Sequence, residues 1–465
     1  MFFVDVVETE GLGNRGYLAG GPHTAVAVDP PRDVDRVVSA AARRGVRITA
    51  VVETHVHNDY VSGGRELARI TGARHLLPAG AGVEFAHTPV TDGDTIEVGD
   101  SAGGGPELRA VATPGHTPHH MTYVLAEEGR ETAAFTGGSL LIGGVGRPDL
   151  VEPRLTGRLA RDQHASARRL AGELADEVRV LPTHGFGSFC SSSPRSGQRD
   201  ATTIGAERKS NDALRKDVDT FVADLLAGLD DVPAYYAHLG PLNARGPDPV
   251  DLTPPAPAGA GEIARRLAAG EWVVDLRDRR AFAAGHVGGA YNIEAEGQLA
   301  TYLAWLIPWG RPVTLLAADR DQLAHAQREL VRVGVDRPAA AATGGPERWL
   351  PAGTEPRVSG LGTFAELAAR WRVHPGGGDV LLDVRRDSER AEGHIGGSAH
   401  IPVHELRERL AEVPPGRVWV HCGSGLRATV AASLLDAAGR EVVVVDEAYG
   451  AAGEAGLPVV TPGEG

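Results

Sequence analysis

Two groups of side chains in this sequence are of types that do chemistry at close range. The first is a set of histidines and a carboxylate: ETHVHNDYVSGG holds His55, His57 and Asp59, TPGHTPHH holds His116, and LPTHGFG holds His184. Imidazole and carboxylate donors suit a borderline metal such as zinc or iron, provided that they converge from different loops. The bland alternative is a set of solvated loop histidines. The second group is the run Cys422-Gly423-Ser424-Gly425-Leu426-Arg427, which follows the strand-like VWVH and precedes the helical pattern ATVAASLLDAAG. A sulfur anion before a helix N-terminus is ringed by backbone N–H groups, and glycines let the backbone turn inward. Such a loop suits a thiolate and the persulfide that forms on it. The other cysteine, Cys190, lies in a Gly and Ser-rich loop six positions after His184. There it could accept sulfur beside a metal, or serve as a small buried hydrophobe.

The elements that must position these residues follow from patterning. FFVDVV, TAVAVD and ITAVVET read as strands, with DVDRVVSAAARRG as a helix between the last two. Further strands are expected at LRAVAT, MTYVLA, TAAFTG and VRVLPT, each running into a loop with Gly, His or Pro, where open sheets build sites. ERKSNDALRKDVDTFVADLLAGL reads as helical, and the Pro-rich DLTPPAPAGAGE after it as a boundary. Beyond that boundary is a diverged repeat: VVDLRDRRAFAAGHVGGAYNI against LLDVRRDSERAEGHIGGSAHI, with Asp275 answering to Asp383 and His286 to His394 at one offset. Each copy continues into a buried-looking strand, VTLLA or VWVHC. Aligning these sets Ala317 against Cys422 and Gln322 against Arg427, so the first copy has no nucleophile. That copy is expected to be a spacer or docking domain, with Tyr302, Trp305 and Trp309 packing as core or interface.

The totals agree with three folded domains. The chain has 465 residues, room for two to four hydrophobic cores, and its 42% apolar and 23% charged residues are ordinary for a globular protein. A formal charge of −14 argues against nucleic acid or an anionic membrane surface as partner. Two cysteines provide no disulfide framework. No apolar run approaches the roughly 20 residues that span a bilayer, and MFFVDVVETEGLG lacks the features of an export signal, so a cytoplasmic location is expected.

ETHVHNDYVSGG, TPGHT, FTGGSLLIGGVGRPDL and THGFGSFCSSS, in that order, resemble the metallo-β-lactamase superfamily, and specifically persulfide dioxygenases fused to rhodanese domains. The Cys422 loop, with Asp383, Arg385, Glu389 and the GHIGG around His394, resembles the rhodanese active loop. Four residues separate Cys422 from Arg427, where related phosphatases have five, which favours sulfur transfer. The resemblance implies an α/β architecture: an N-terminal αββα sandwich with a helical extension over 1–245, a rhodanese-like domain without cysteine over 255–352, and a rhodanese domain with Cys422 over 360–465.

It also implies one ferrous iron per chain, carried over onto His55, His116 and position 138, with O2 and a low-molecular-weight thiol persulfide or thiosulfate as reactants. Position 138 is Gly138, in Thr136-Gly137-Gly138, so the carboxylate of the family's Thr-Gly-Asp is missing. Two arrangements stay open: zinc on His55, His57 and His116 with a water, favouring hydrolysis; or Fe(II) on His55 and His116 with the substrate persulfide, a water or another anion beside it. A dinuclear hydrolase centre is disfavoured, because Tyr60 stands where a histidine is expected. Asp59 and His184 are expected to orient the ligands or bind weakly. Arg147 and Asp149, in GRPDL, match a segment beside the family's substrate channel. Arg147 would hold a substrate carboxylate, or the two would simply staple a loop. The function expected is persulfide dioxygenation coupled to sulfur transfer, the alternatives being a zinc thioester-type hydrolase or a sulfur relay to an acceptor protein. A homo-oligomer is compatible with all three.

Overall fold

The computed structural model describes residues 2–98, 106–191, 200–373 and 378–461. The end of the serine run after Cys190 and the last four residues of the chain therefore lie outside the described residues. The chain divides into two compact units, Met1–Asp251 with Val331–Gly334, and Leu252–Leu330 with Val335–Gly465.

In the first unit two six-stranded sheets lie face to face. One holds Phe3–Thr9, Asn14–Gly20, Thr24–Val28, Arg47–Val52, Arg74–Pro78 and Thr88–Val90 in chain order, antiparallel over the first three strands and parallel thereafter. The other runs from Thr95–Glu97 through Glu107–Ala112, Met121–Glu127, Arg130–Gly137 and Arg179–Pro182 to Thr202–Thr203. Alternation along the strands sorts the side chains. Tyr17, Val26, Val28, Ala50 and Val52 of one sheet meet Leu108, Ala110, Tyr123, Leu125 and Phe135 of the other in a shared core. The alternate residues point the other way, where Leu18, Ala27 and Val51 receive the helices Asp35–Arg44 and Gly64–Thr71. On the far side Val124, Ala134 and Val180 receive Thr156–Glu173 and Val218–Ala227. This is the expected αββα sandwich. The helical extension is broken into Ile204–Ser210, Asp212–Arg215 and Val218–Ala227, because Asn211 and Asp217 each leave the helical region and cap the next helix with their side chains.

The second unit holds two parallel sheets, Tyr291–Asn292, Trp272–Asp275, Val313–Ala317 and Ala340–Thr343 in one, and Gly360–Gly362, Val442–Val445, Arg417–His421, Asp379–Asp383 and Ala399–His400 in the other. Their central strands are buried on both faces, hence the near-continuous apolar runs VTLLA and VVVV. The two copies do not have wholly separate interiors. Val274, Leu303, Leu315 and Leu330 of the first belong to one apolar cluster with Leu382, Val420, Cys422 and Leu434 of the second. Among the described residues no helix is long and apolar enough to cross a membrane.

Candidate metal centre and cysteine loop

Four strand ends on one edge of the sandwich carry the histidine cluster. Arg47–Val52 leads to His55, His57 and Asp59; Glu107–Ala112 leads to His116; Arg130–Gly137 leads to Gly138; and Arg179–Pro182 leads to His184. All five side chains are at most 2% exposed, which excludes the solvated-loop alternative.

Three imidazoles are oriented alike. Thr54 Oγ1 donates to the buried Asp29 carboxylate at 2.8 Å, so it accepts from His55 Nδ1 at 2.8 Å. His116 Nδ1 donates to the Arg147 carbonyl at 2.8 Å, and His184 Nδ1 lies 3.0 Å from Asp59 Oδ2 and 3.2 Å from Asn14 Oδ1. With each Nδ1 holding its hydrogen toward an acceptor, Nε2 is the lone-pair atom of all three rings. His55 Nε2 and His184 Nε2 are 3.3 Å apart, and one donor atom from each of His55, His116 and His184 fits within 4.8 Å of the others. Burial favours the neutral form of two of these rings: His116 is pushed down to about 3 and His55 well below the ordinary imidazole range, first by desolvation and then by the neighbouring histidines.

The structure thus redraws the expected zinc triad. His184 joins His55 and His116, whereas His57 falls in a second group with Asp59 and His184. His57 Nε2 lies 3.3 Å from Asp29 Oδ1 but off the hydrogen-bond direction, leaving both its nitrogens and Asp59 Oδ1 buried without hydrogen-bond partners. Orphaned buried donors and acceptors beside converging lone pairs are what a metal cation would satisfy, so the residues fit a metal. They would hold it through nitrogen for the most part. At Gly138 a Cβ would sit 2.2 Å from His116 Cδ2, so His116 occupies the space that an aspartate side chain would have to enter.

One further histidine was missed by sequence reasoning. His120, four positions after His116, is 2% exposed and stacks on His55 at 4.9 Å. Its Nδ1 pairs with Thr113 Oγ1 at 2.9 Å and its Nε2 accepts the Gly138 N–H at 3.0 Å, so it buttresses the pocket and has no nitrogen left for a metal. The only signal in the sequence was the doubled histidine of TPGHTPHH.

The surroundings of Arg147, Asp149 and Cys190 speak against a role in holding substrate. Arg147 is only 3% exposed, and all five of its N–H donors are engaged: Nε and Nη2 with the Asp149 carboxylate at 2.8 Å each, the others with the carbonyls of Phe189, Asp230 and Asp231. Arg147 and Asp149 are a loop staple, with no donor left for a substrate carboxylate. Cys190 is fully buried beside Asp59 and Tyr236, and burial, reinforced by Asp59, pushes its thiol well up. Of the two roles open to it, its surroundings suit the small buried side chain better than the sulfur acceptor.

In the second unit Cys422 ends Arg417–His421 and the helix Leu426–Ala437 begins at once. Gly425 N–H donates to Cys422 Sγ at 3.1 Å. Gly425 has φ 95°, and a Cβ there would approach Asp446 Oδ1 to 2.9 Å, so both conformation and space require glycine. Arg427 pairs through both terminal nitrogens with the Glu389 carboxylate, at 2.7 Å for Nη2 to Oε1. Although burial alone would raise it, Arg427 holds that carboxyl well below its usual range. Gly423 accepts the Tyr449 N–H at 3.0 Å, and Arg385 lies 3.7 Å over the Tyr449 ring, so the segment DEAYG braces the loop from below. Ser424 is exposed at the loop tip. In the first copy the equivalent strand ends at the buried Ala317, and Gln322 accepts the Ala318 N–H at 2.8 Å, closing the turn on itself.

The family described as Metallo-beta-lactamase superfamily matches residues 17–184, and Rhodanese-like domain matches residues 367–453. Over 248 residues the chain is 28% identical to Homo sapiens "Persulfide dioxygenase ETHE1, mitochondrial", covering 52% of this chain and 81% of that one. It is 30% identical over 165 residues to "Probable polyketide biosynthesis zinc-dependent hydrolase BaeB" of Bacillus velezensis, covering 35% of this chain and 68% of that one. A solved metallo-beta-lactamase structure from Staphylococcus aureus subsp. aureus COL superposes with a TM-score of 0.64 at 25% identity, over 73% of this chain and 99% of that one. With its converging histidines and its cysteine loop, the chain belongs to the metallo-beta-lactamase superfamily and carries a rhodanese-like domain in its C-terminal part.

Proposed function

We propose that this protein is a bifunctional sulfur-metabolising enzyme, in which Cys422 transfers sulfane sulfur and the metal centre processes a low-molecular-weight persulfide. The observation that carries the reading is the cradle of Cys422: a thiol receiving a backbone N–H at the start of a helix, with Arg427 fixed beside it by Glu389. The Cys422 thiolate attacks the outer sulfur of thiosulfate or of a thiol persulfide. A new S–S bond forms on Cys422 while the donor's S–S bond breaks, its electron pair leaving with sulfite or the thiolate. An acceptor thiolate then attacks the terminal sulfur and frees Cys422. Positive charge and N–H dipoles around the loop favour the anion at each stage.

In the first unit His55, His116 and His184 would hold one metal, with His57 and Asp59 alongside. Bound Fe(II) would supply oxygen activation, as in the activity named for the human relative, and the products would be sulfite and the free thiol. The chain's own part is to fix the tautomers through Thr54, the Arg147 carbonyl and Asp59, and to favour neutral His55 and His116 by burial. A specific observation favours a second reading: the donor set is three nitrogens, and His116 fills the space at Gly138, which suits a zinc hydrolase.

Metal analysis of protein purified without oxygen, joined to O2 uptake with glutathione persulfide, separates the two. Near-stoichiometric iron with O2 consumption is the result expected. Zinc, with no O2 uptake and with thioester cleavage, would replace the dioxygenase reading with the hydrolase, while Cys422-dependent transfer from thiosulfate tests the other half independently.

A further inference from the structure

The copy that lacks a cysteine is in contact with the loop that has one. Its helix Leu299–Leu306 is buried along its whole length, and Trp305 on that helix stacks on His404 of the other copy at 4.5 Å. Tyr302, one turn earlier, belongs to the same apolar cluster as Cys422 and is 6% exposed. Apolar packing accounts for its ring. It does not account for its hydroxyl, which takes no hydrogen bond among the described residues.

The charged groups within electrostatic reach of that hydroxyl are those of the cysteine site: Arg427, Arg386, Cys422 and Glu389. Burial pushes the phenol up, so it is protonated near neutral pH and can donate. A second contact ties the copies together at the same place. Arg279 of the cysteine-free copy donates to Asp446 Oδ1 at 2.5 Å, and Arg280 donates to Asp446 Oδ2 at 3.2 Å. Asp446 is the residue against which Gly425, the N–H donor to Cys422, is packed. The cysteine-free copy therefore presses on Asp446, behind the sulfur loop, through Arg279 and Arg280, and places Tyr302 in the apolar cluster that holds Cys422.

We propose that the cysteine-free copy completes the sulfur-transfer site, with the Tyr302 hydroxyl donating a hydrogen bond to the anionic sulfur donor that Cys422 attacks beside Arg427. This rests on the reading of Cys422 as the sulfur-transfer nucleophile. The ligand class is a small anion with an outer sulfur and oxygen or sulfur acceptors, thiosulfate being the simplest. Each transfer is balanced as above, and Tyr302 neither gains nor loses its proton. Its hydrogen bond holds the donor so that the S–S bond points at Cys422 Sγ.

The test uses the full chain and thiosulfate, with a thiol acceptor. Tyr302→Phe keeps the ring and removes only the hydroxyl, so it isolates the hydrogen bond from packing. The expected result is a KM for thiosulfate raised about tenfold or more, as for loss of a hydrogen bond to a charged group, with a smaller change in kcat. The rate at which neutral iodoacetamide alkylates Cys422 should stay within about twofold of wild type, because that reagent carries no anion for Tyr302 to hold. Arg279→Ala serves as the companion variant: it should slow transfer from all donors alike, without a selective effect on KM for thiosulfate. A Tyr302→Phe protein with wild-type KM and kcat would overturn the proposal. Thiosulfate transfer equal in wild type and Cys422→Ala would instead remove the nucleophile reading, and the proposal with it.

Discussion

The histidine pocket and the cysteine loop are built on opposite plans. His55, His116 and His184 come from three different strand ends, and the group that orients each is fixed by a residue far away in sequence: Asp29, through Thr54, for His55, the Arg147 carbonyl for His116, Asp59 and Asn14 for His184. The cysteine loop carries its nucleophile, its N–H donor and its arginine within six consecutive residues, and the longer-range contacts, Glu389, Asp446 and Tyr302, brace what is already there. A site of the first kind changes character when one residue changes, because the neighbours refill the space. Gly138 illustrates this, with His116 against its Cα and His120 on its N–H. A site of the second kind survives or disappears as a unit, as the turn at Ala317 shows in the other copy.

The difference can be pressed hardest at the two cysteines. Cys422→Ser should lower sulfur transfer from thiosulfate by roughly a thousandfold or more, as expected for loss of a nucleophile, whereas Cys190→Ser leaves that transfer within about twofold. Comparable losses in both would mean that the buried thiol takes part after all. Next is His116→Ala, which should weaken metal binding by more than about 100-fold, beyond the effect usual for an orienting partner, without altering transfer by Cys422. Elemental analysis after dialysis, run beside the thiosulfate assay, reads both quantities, and a simultaneous loss would show the two sites to be coupled.

Gly138→Asp tests how far the pocket has closed. A Cβ at 2.2 Å from the His116 ring should destabilise the metal-free protein by about 1–3 kcal/mol, the range for overpacking, in urea unfolding. An unchanged midpoint would show that His116 moves aside freely.

The smallest effect is a pH dependence of the cysteine loop. Arg427 holds the Glu389 carboxyl below its ordinary value of 4.5, so the pair contributes its full stability above that pH and loses it as pH falls through the folded value. Wild type should therefore lose about 1 kcal/mol more between pH 6 and pH 3 than Glu389→Gln does, which denaturant titrations at several pH values would detect. Parallel curves for the two proteins would mean that Glu389 is no more ionised in the folded state than in the unfolded one.

Much of the architecture was legible before the structure. The strands ending at Val52, Ala112, Gly137, Pro182 and His421 were announced by β-rich apolar runs, and four of them lead straight to a site residue. His120 was not legible, since a second histidine in a loop has no periodicity to mark it. Nor was the saturation of Arg147, whose five acceptors come from positions 149, 189, 230 and 231. Tyr302 was read as packing, correctly for its ring, but nothing local to the helix reveals what its hydroxyl faces.

By itself, then, the sequence determined the layered α/β plan, the repeat in the second half and the identity of the nucleophilic loop, because each of these is written in short-range patterns: period-two strands, amphipathic helices, and a glycine-flanked cysteine at a helix start. Only the tertiary structure decided which nitrogens face one another, that His184 joins His55 and His116, that Arg147 has nothing left to offer a substrate, and that the cysteine-free copy reaches the Cys422 loop. Those outcomes depend on which hydrogen-bond acceptor stands behind each donor and on which side chain fills each gap, and both are properties of packing between segments tens to more than a hundred residues apart.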